Sequence, residues 1–286
     1  MSWAKAPFEY VWGTAHHVLP ETHSDESGYF SLCEGNDGRI YVGTAKYGEN
    51  AYLVEFDPVT EKQRIVVDAH KLCGLTAKGF AAQAKFHTRN YVGPSGVIYV
   101  GTKQGYAKKG DKSEYPGGYL ITYDPRNDTA RNLGMPYKKQ GIADVVADES
   151  RGLIYVVTCE DQHWMLYDVA TKKFTELGPM LTPYATTLMD AEGKAHALTK
   201  DFQLATYDPV TKKVTQRPIE IGGKAFVRES RSSIPTWNLD AAGRTAWLIL
   251  MNDAHLLSID LSSKGKKAKG ANHGLMLKGE RPDSRS

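Results

Sequence analysis

His87, Arg89, Asp144 and Tyr184 are the residues of this chain whose types could do chemistry together. An imidazole and a phenol can move protons, a guanidinium can neutralise a substrate carboxylate, and a carboxylate can orient any of them. His87 and Arg89 stand two apart in AKFHTRNYV, so strand alternation puts both on one face. His23, His87 and His163 add a second possibility, a divalent metal site. Imidazole donors favour Zn²⁺ or Mn²⁺ over Ca²⁺, which prefers oxygen. No HExxH, HxH or CxxC spacing occurs, so only the fold can make these groups converge. Each also has a plain structural role open to it. Asp144 can accept from a backbone amide, Arg89 can pair with Asp144 or a rim glutamate, and Tyr184 can pack behind Pro183.

The elements that would position these groups come from an internal repeat. Five times the chain gives a strand, a tight turn ending in glycine, a second strand, a third ending in Asp, and a polar fourth. The turn glycines are Gly38, Gly96, Gly152, Gly193 and Gly243, followed by RIYVGTA, VIYVGTK, LIYVVTC, KAHALTK and RTAWLIL. The third strands close as VEFDPVT, ITYDPRN, LYDVAT, ATYDPVT and SIDLSS, where Asp starts a short hairpin turn. Helical periodicity is nearly absent, and the strands alternate or run fully apolar. Four strands recurring every 40 to 60 residues or so predict an all-β fold, a β-propeller of at least five four-stranded blades around a central channel. One domain would take the whole chain, 1–286. A strand within Phe8 to Pro20 is expected to close the ring, unless the chain is a piece of a longer propeller.

The DPxT-type turns and GxIYVGT-like strands resemble those of bacterial six- and seven-bladed propellers, including lactonase-like and polysaccharide-lyase-like groups. The resemblance covers nearly the whole chain and concerns the repeat. For the lactonase-like group it implies calcium held by Glu, Asn and Asp, a pattern from which the histidines here depart.

In a propeller the first strand of each blade lines the channel. Counting back equally from the turn glycines puts Tyr29, His87, Ala143, Tyr184 and Ile234 at the channel mouth, with Phe30, Thr88, Asp144, Ala185 and Pro235 next inward. The same face should receive Cys159, Glu160, Asp161 and His163 from CEDQH, and His23, Asp25 and Glu26 from ETHSDES. Further connectors bring His70, Arg228 and Arg231 to it. The insertion Lys103 to Gly118, rich in Gly and Lys, is expected to overhang this rim as a mobile wall. The face carrying the glycine turns looks barren.

Composition narrows the function classes. A formal net charge of +3 with scattered basic residues argues against nucleic acid, and Lys264 to Lys269 reads as a solvated loop. No apolar run approaches the roughly 20 residues of a membrane span. Three cysteines without CxxC spacing fit a reducing compartment, and MSWAKAPFEYVWG lacks a signal-peptide core, so a cytoplasmic location is the default expectation. A periplasmic or secreted chain trimmed at its N-terminus would look the same.

A His-Tyr-Arg-Asp mouth supports three readings, each with a small molecule or oligosaccharide as partner. The first is a metal-assisted hydrolase of an ester, lactone or phosphoester, its metal-bound water ionised near pH 7. The second is a lyase that β-eliminates a uronic-acid glycan, with His87 as base, Tyr184 as acid and Arg89 on the carboxylate. The third is a propeller that binds a ligand or protein without catalysis.

Overall fold

The turn glycines mark the blade boundaries in a computed structural model that describes residues 13–23, 31–227, 236–250 and 253–276. Tyr29, Phe30, Ile234, Pro235, Asp25, Glu26, Arg228 and Arg231, to which the sequence assigns rim or channel places, lie outside the described residues, as does the end of the chain. Blade 1 is β1 (Leu32–Glu34), β2 (Ile40–Gly43), β3 (Tyr52–Asp57) and β4 (Lys62–Asp68). Blade 2 is β5 (Lys85–Phe86) and β6 (Tyr91–Val92), which both pair with β7 (Ile98–Lys103), then β8 (Leu120–Asp124) and β9 (Thr129–Gly134). Blade 3 is β10 (Gly141–Asp148), β11 (Leu153–Cys159), β12 (Trp164–Asp168) and β13 (Lys173–Glu176). Blade 4 is β14 (Leu188–Met189), β15 (Ala195–Leu198), β16 (Gln203–Asp208) and β17 (Lys213–Ile221), with β18 (Lys224–Ala225) folded back on β17. Blade 5 is β19 (Thr236–Leu239), β20 (Thr245–Leu250), β21 (Asp253–Asp260) and β22 (Ala268–Leu275). The expected all-β propeller of at least five blades is the observed fold.

Alternation along the middle strands sends apolar side chains to both faces, and these make the cores between blades. Tyr41, Phe86, Ile98 and Tyr123 pack between blades 1 and 2, and Tyr99, Val156, Met165 and Tyr167 between blades 2 and 3. Tyr155, Ala197, Ala205 and Tyr207 join blades 3 and 4, and Leu204, Ile219, Leu248 and Ile259 join blades 4 and 5. Blades 4 and 5 are also sewn at their outer edges, because β17 pairs in parallel with β22 from Ile219↔Ala268 to Ile221↔Gly270. That contact covers edges that would otherwise expose unpaired amides.

Of the stretch Phe8 to Pro20, expected to hold a closing strand, residues 8–12 lie outside the described residues. Residues 13–19 form no strand, and the element there is the 3₁₀ turn Pro20–Thr22. The backbone lies along blade 1 instead, where Gln63 accepts from the Leu19 amide and donates to the His17 carbonyl. The His16 ring rests 4.7 Å from Phe56. A single polar side chain at the edge of blade 1, Gln63, thus fixes residues 17–19 in an extended but unpaired course.

Candidate functional site

The inner strands are broken where the polar residues sit. In blade 2, Phe86 faces Thr102 and Tyr91 faces Tyr99, so five residue steps oppose three. In blade 3 the register slips between Ile142 and Asp144. In blade 4, Leu181 bridges Thr199 and Leu188 faces His196, so seven steps oppose three. Bulges of this kind re-aim side chains next to functional sites. Their unequal size also corrects the equal count back from each glycine, so His87 and Tyr184 do not share a depth. Tyr184 stands at the third position of the turn Thr182–Ala185, closed by the Ala185 amide on the Thr182 carbonyl, with φ of 58°. Its side chain is 56% exposed.

Arg89 and Asp144 do come together. Asp144, 1% exposed, accepts from Arg89 Nε at 3.2 Å and Nη2 at 3.3 Å and from the Thr187 amide at 2.8 Å. The remaining guanidinium nitrogen Nη1 reaches the Trp237 carbonyl and Asn238 Oδ1. One buried ion pair thus ties blades 2, 3, 4 and 5 across the channel. Burial pushes the Asp144 carboxyl upward more strongly than Arg89 and the Thr187 amide pull it down. A cavity of about 300 Å³ borders this pair and follows the inner strands toward the glycine turns, past Val146, Met189 and Leu239.

His87 sits apart from that pair, in a different setting. Its amide bonds the Gly101 carbonyl, and the ring lies near the ammonium groups of Lys103 and Lys85. Burial first, then Lys103 and Lys85, lower its pKa to about 3, so the imidazole is neutral at physiological pH. Lys85 enters the channel head through a bridge to Ala45 of the blade 1 hairpin. Its Nζ lies 5.0 Å from the Tyr47 ring and 5.3 Å from the Tyr106 ring. Lys103 Nζ pairs with Glu160 at 2.9 Å, and Gln104 Nε2 donates to the same carboxylate oxygen at 3.3 Å. Gly141 makes this crowding possible, since a Cβ there would stand 2.6 Å from Lys103 Cγ and 3.0 Å from Cys159 Sγ. Burial raises the Cys159 thiol to about 11, so it remains protonated. Glu160 adopts a φ of 85°, a left-handed backbone that a carboxylate side chain takes at a cost.

The proposed metal ligands are not brought together. His163 Nδ1 bonds Glu176 at 2.7 Å on the outer strand, with its ring stacked 3.8 Å from Tyr137. His23 follows the 3₁₀ turn beside blade 1, where Lys46 Nζ holds the Glu21 carbonyl. The Gln83 amide donates to His70 Nε2, which ties that ring to the connector between blades 1 and 2. Among the described residues, no group of three or more His, Cys, Asp and Glu side chains could hold a metal ion. The donor set does not fit the ion expected for it.

The insertion is anchored, which corrects its reading as a mobile wall. Asp111 accepts from the Phe80 amide, Ser113 Oγ from the Ala81 amide, and the buried Tyr115 hydroxyl bonds Gln83 at 2.8 Å. Gln83 Nε2 returns to the Gly117 carbonyl. The single aromatic Tyr115 supplies the apolar anchor that a count of Gly and Lys hides. The glycine-turn face, expected barren, carries a cavity of about 710 Å³ between blades 4 and 5. The residues that sequence reading missed are Lys85, Lys103, Tyr47 and Tyr106. Lys85 and His87 stand two residues apart in the sequence, at β5 and just past its end, which was the available signal.

Neither a protein-family model nor a curated protein matches the chain. Solved structures do. A fungal alcohol oxidase in complex with copper is 10% identical with a TM-score of 0.56, over 87% of this chain and 54% of that one. The major allergen Mala s 1 of Malassezia sympodialis is 13% identical with a TM-score of 0.55, over 85% and 78%. The WD40 repeats of RRP9 are 8% identical with a TM-score of 0.52, over 84% and 61%. The chain spans only 25% of another match, the extracellular domain of a one-component system from B. thetaiotaomicron. Identities this low speak to architecture alone, and the architecture they share with this chain is the β-propeller.

Proposed function

We propose that this propeller binds a carboxylate-bearing small molecule or oligosaccharide, of the uronic-acid kind, at the head of its channel. The observation that carries the reading is the pair of ammonium groups beside His87, Lys85 Nζ against the Tyr47 and Tyr106 rings and Lys103 Nζ against Glu160. Two ammonium groups that depress an imidazole create a positive potential, and such a potential draws in carboxylates. Glu160 already places a carboxylate on Lys103 and Gln104, and a ligand carboxylate takes that place when Glu160 turns out to solvent. Tyr106, 74% exposed and edge-on to Tyr47 at 5.4 Å, offers a flat face for a sugar ring.

A second reading adds catalysis to the same binding. For β-elimination His87, unprotonated, would take the proton α to the carboxylate once the ligand's own charge offsets Lys85 and Lys103, which weaken it as a base, while those ammonium groups neutralise the developing charge. The electron pair forms the carbon–carbon double bond, the glycosidic carbon–oxygen bond breaks, and the leaving oxygen takes a proton from water. Tyr184 is not needed in this version. No hydrolytic step is derived through a metal, because His163 is held by Glu176 and His87 stands between two cations.

Titration calorimetry with trigalacturonate, run beside its ultraviolet absorbance, tests both. Saturable heat that Lys85→Met with Lys103→Met weakens tenfold or more supports binding, and a rise in absorbance from an unsaturated product adds the lyase. No heat with the wild-type chain, or equal heat with the double variant, refutes the reading.

A further inference from the structure

The junction between blades 4 and 5 differs from the three before it along the chain in one respect that creates a cavity. The third residue after the turn glycine is Tyr41, Tyr99 and Tyr155 in blades 1 to 3. The next blade answers with the residue before its third-strand Asp, namely Tyr123, Tyr167 and Tyr207. Tyr41 and Tyr123 rings stand 5.8 Å apart, Tyr155 and Tyr207 5.9 Å, and Tyr99 and Tyr167 share one core. At the fourth junction the same two places hold His196 and Ile259. Two tyrosine rings are missing, and the cavity of about 710 Å³ lies there, within the usual size of small-molecule sites.

The walls define what could fill it. Along β15, β16 and β17, Leu198, Leu204 and Ile219 face the blade 5 core, while His196, Thr206, Thr215 and Arg217 share their face and line the cavity. His196 is fixed by Asp190 at 2.8 Å and Thr206 at 3.0 Å, so the floor is rigid. Lys194, Lys213, Arg217, Arg244 and Lys264 surround it, with Ser262 and Ser263 beside them. The acids present are already engaged: Asp190 with His196, Glu192 with Lys194, and Asp208 with the Val210 and Thr211 amides. Arg217 donates to the Ser263 carbonyl and joins the two walls. Leu261 and Ala191 are the apolar side chains of the lining, so the cavity suits a polar ligand.

We propose that this cavity is a second ligand site, for a sugar-sized molecule carrying a phosphate or sulfate ester. Guanidinium and ammonium groups ringed by hydroxyls are the donors that a tetrahedral oxyanion ester and its sugar hydroxyls require. The site is independent of the channel head, which faces the opposite side of the ring.

Calorimetry with glucose 6-phosphate and glucose 6-sulfate tests it, with glucose and inorganic phosphate as references. Saturable binding of at least one ester is expected, and the tighter one identifies the oxyanion. Arg244→Ala with Lys213→Ala should weaken it tenfold or more, since neither side chain supports the core. His196→Tyr should abolish it by restoring the ring that plugs the other junctions. Lys85→Met with Lys103→Met should leave it unchanged. Failure of both esters to bind the wild-type chain overturns the proposal. So does unaltered affinity in the Arg244–Lys213 variant, which decides the matter if His196→Tyr does not fold.

Discussion

Replacing Arg89 by methionine should loosen the whole ring, and the structure sets the scale. The change keeps much of the side-chain length but leaves Asp144, 1% exposed, with backbone amides alone as donors, those of Thr187 and Val145. Removing one partner of a buried pair costs about 3–5 kcal/mol, because the other charge stays buried. Arg89 is 32% exposed, so water screens the pair and the lower end, about 3 kcal/mol, applies. For a chain of this size that corresponds to a Tm lower by roughly 6 °C. The loss should depend on pH in a definite sense. The folded Asp144 pKa lies above its unfolded value, so this carboxyl favours the fold below about pH 4 and that contribution is lost as pH rises through the folded pKa. Without Arg89 the folded pKa climbs further. The variant's deficit should therefore be large at pH 7 and shrink toward pH 4, where Asp144 is protonated. Thermal unfolding of Arg89→Met and Asp144→Asn, singly and together, measures this. A deficit under about 1 kcal/mol, or one that does not change with pH, would refute the hub.

Two further outcomes can be checked on the same apparatus. His87, with its folded pKa near 3, contributes stability that is present above its unfolded value of about 6.5 and lost as pH falls toward 3. The wild-type chain should therefore lose stability relative to His87→Gln across that window, as followed by Tm against pH; parallel curves would contradict the assigned shift. Tyr115→Ala should cost about 3–5 kcal/mol, and deletion of the insertion should unfold blade 2; a deletion with unchanged Tm would restore the mobile wall.

The propeller was legible because its signals are local and repeated. A glycine turn, an alternating strand and an Asp-led hairpin recur on a fixed plan, and each reports its own blade. Channel depth was not legible in the same way. The bulges at His87 to Asn90, at Asp144 and at Thr182 to Thr187 differ in length, and nothing in those residues states how many steps the strand gains. The pairing of Arg89 with Asp144 could be foreseen as the plain alternative to catalysis, since both were placed on neighbouring inner strands. His163 misled because a hairpin residue can turn to the rim or to the outer strand, and Glu176 with Tyr137 decides for the latter. Tyr115 was hidden inside a polar insertion, where one ring outweighs many lysines. The His196 and Ile259 substitution stands in plain view in the repeat, but its consequence appears only when the tyrosine pairs are seen to meet across junctions.

The most direct test of the channel-head reading is the histidine NMR spectrum of the wild-type chain at pH 7, titrated with trigalacturonate. An arriving carboxylate near Lys85 and Lys103 must alter the field at His87, so its imidazole signals should move saturably while those of His163 and His196 stay in place. The Lys85→Met, Lys103→Met protein should show no such movement. His87 signals that remain fixed at saturating ligand, or shift equally in the double variant, would contradict the account.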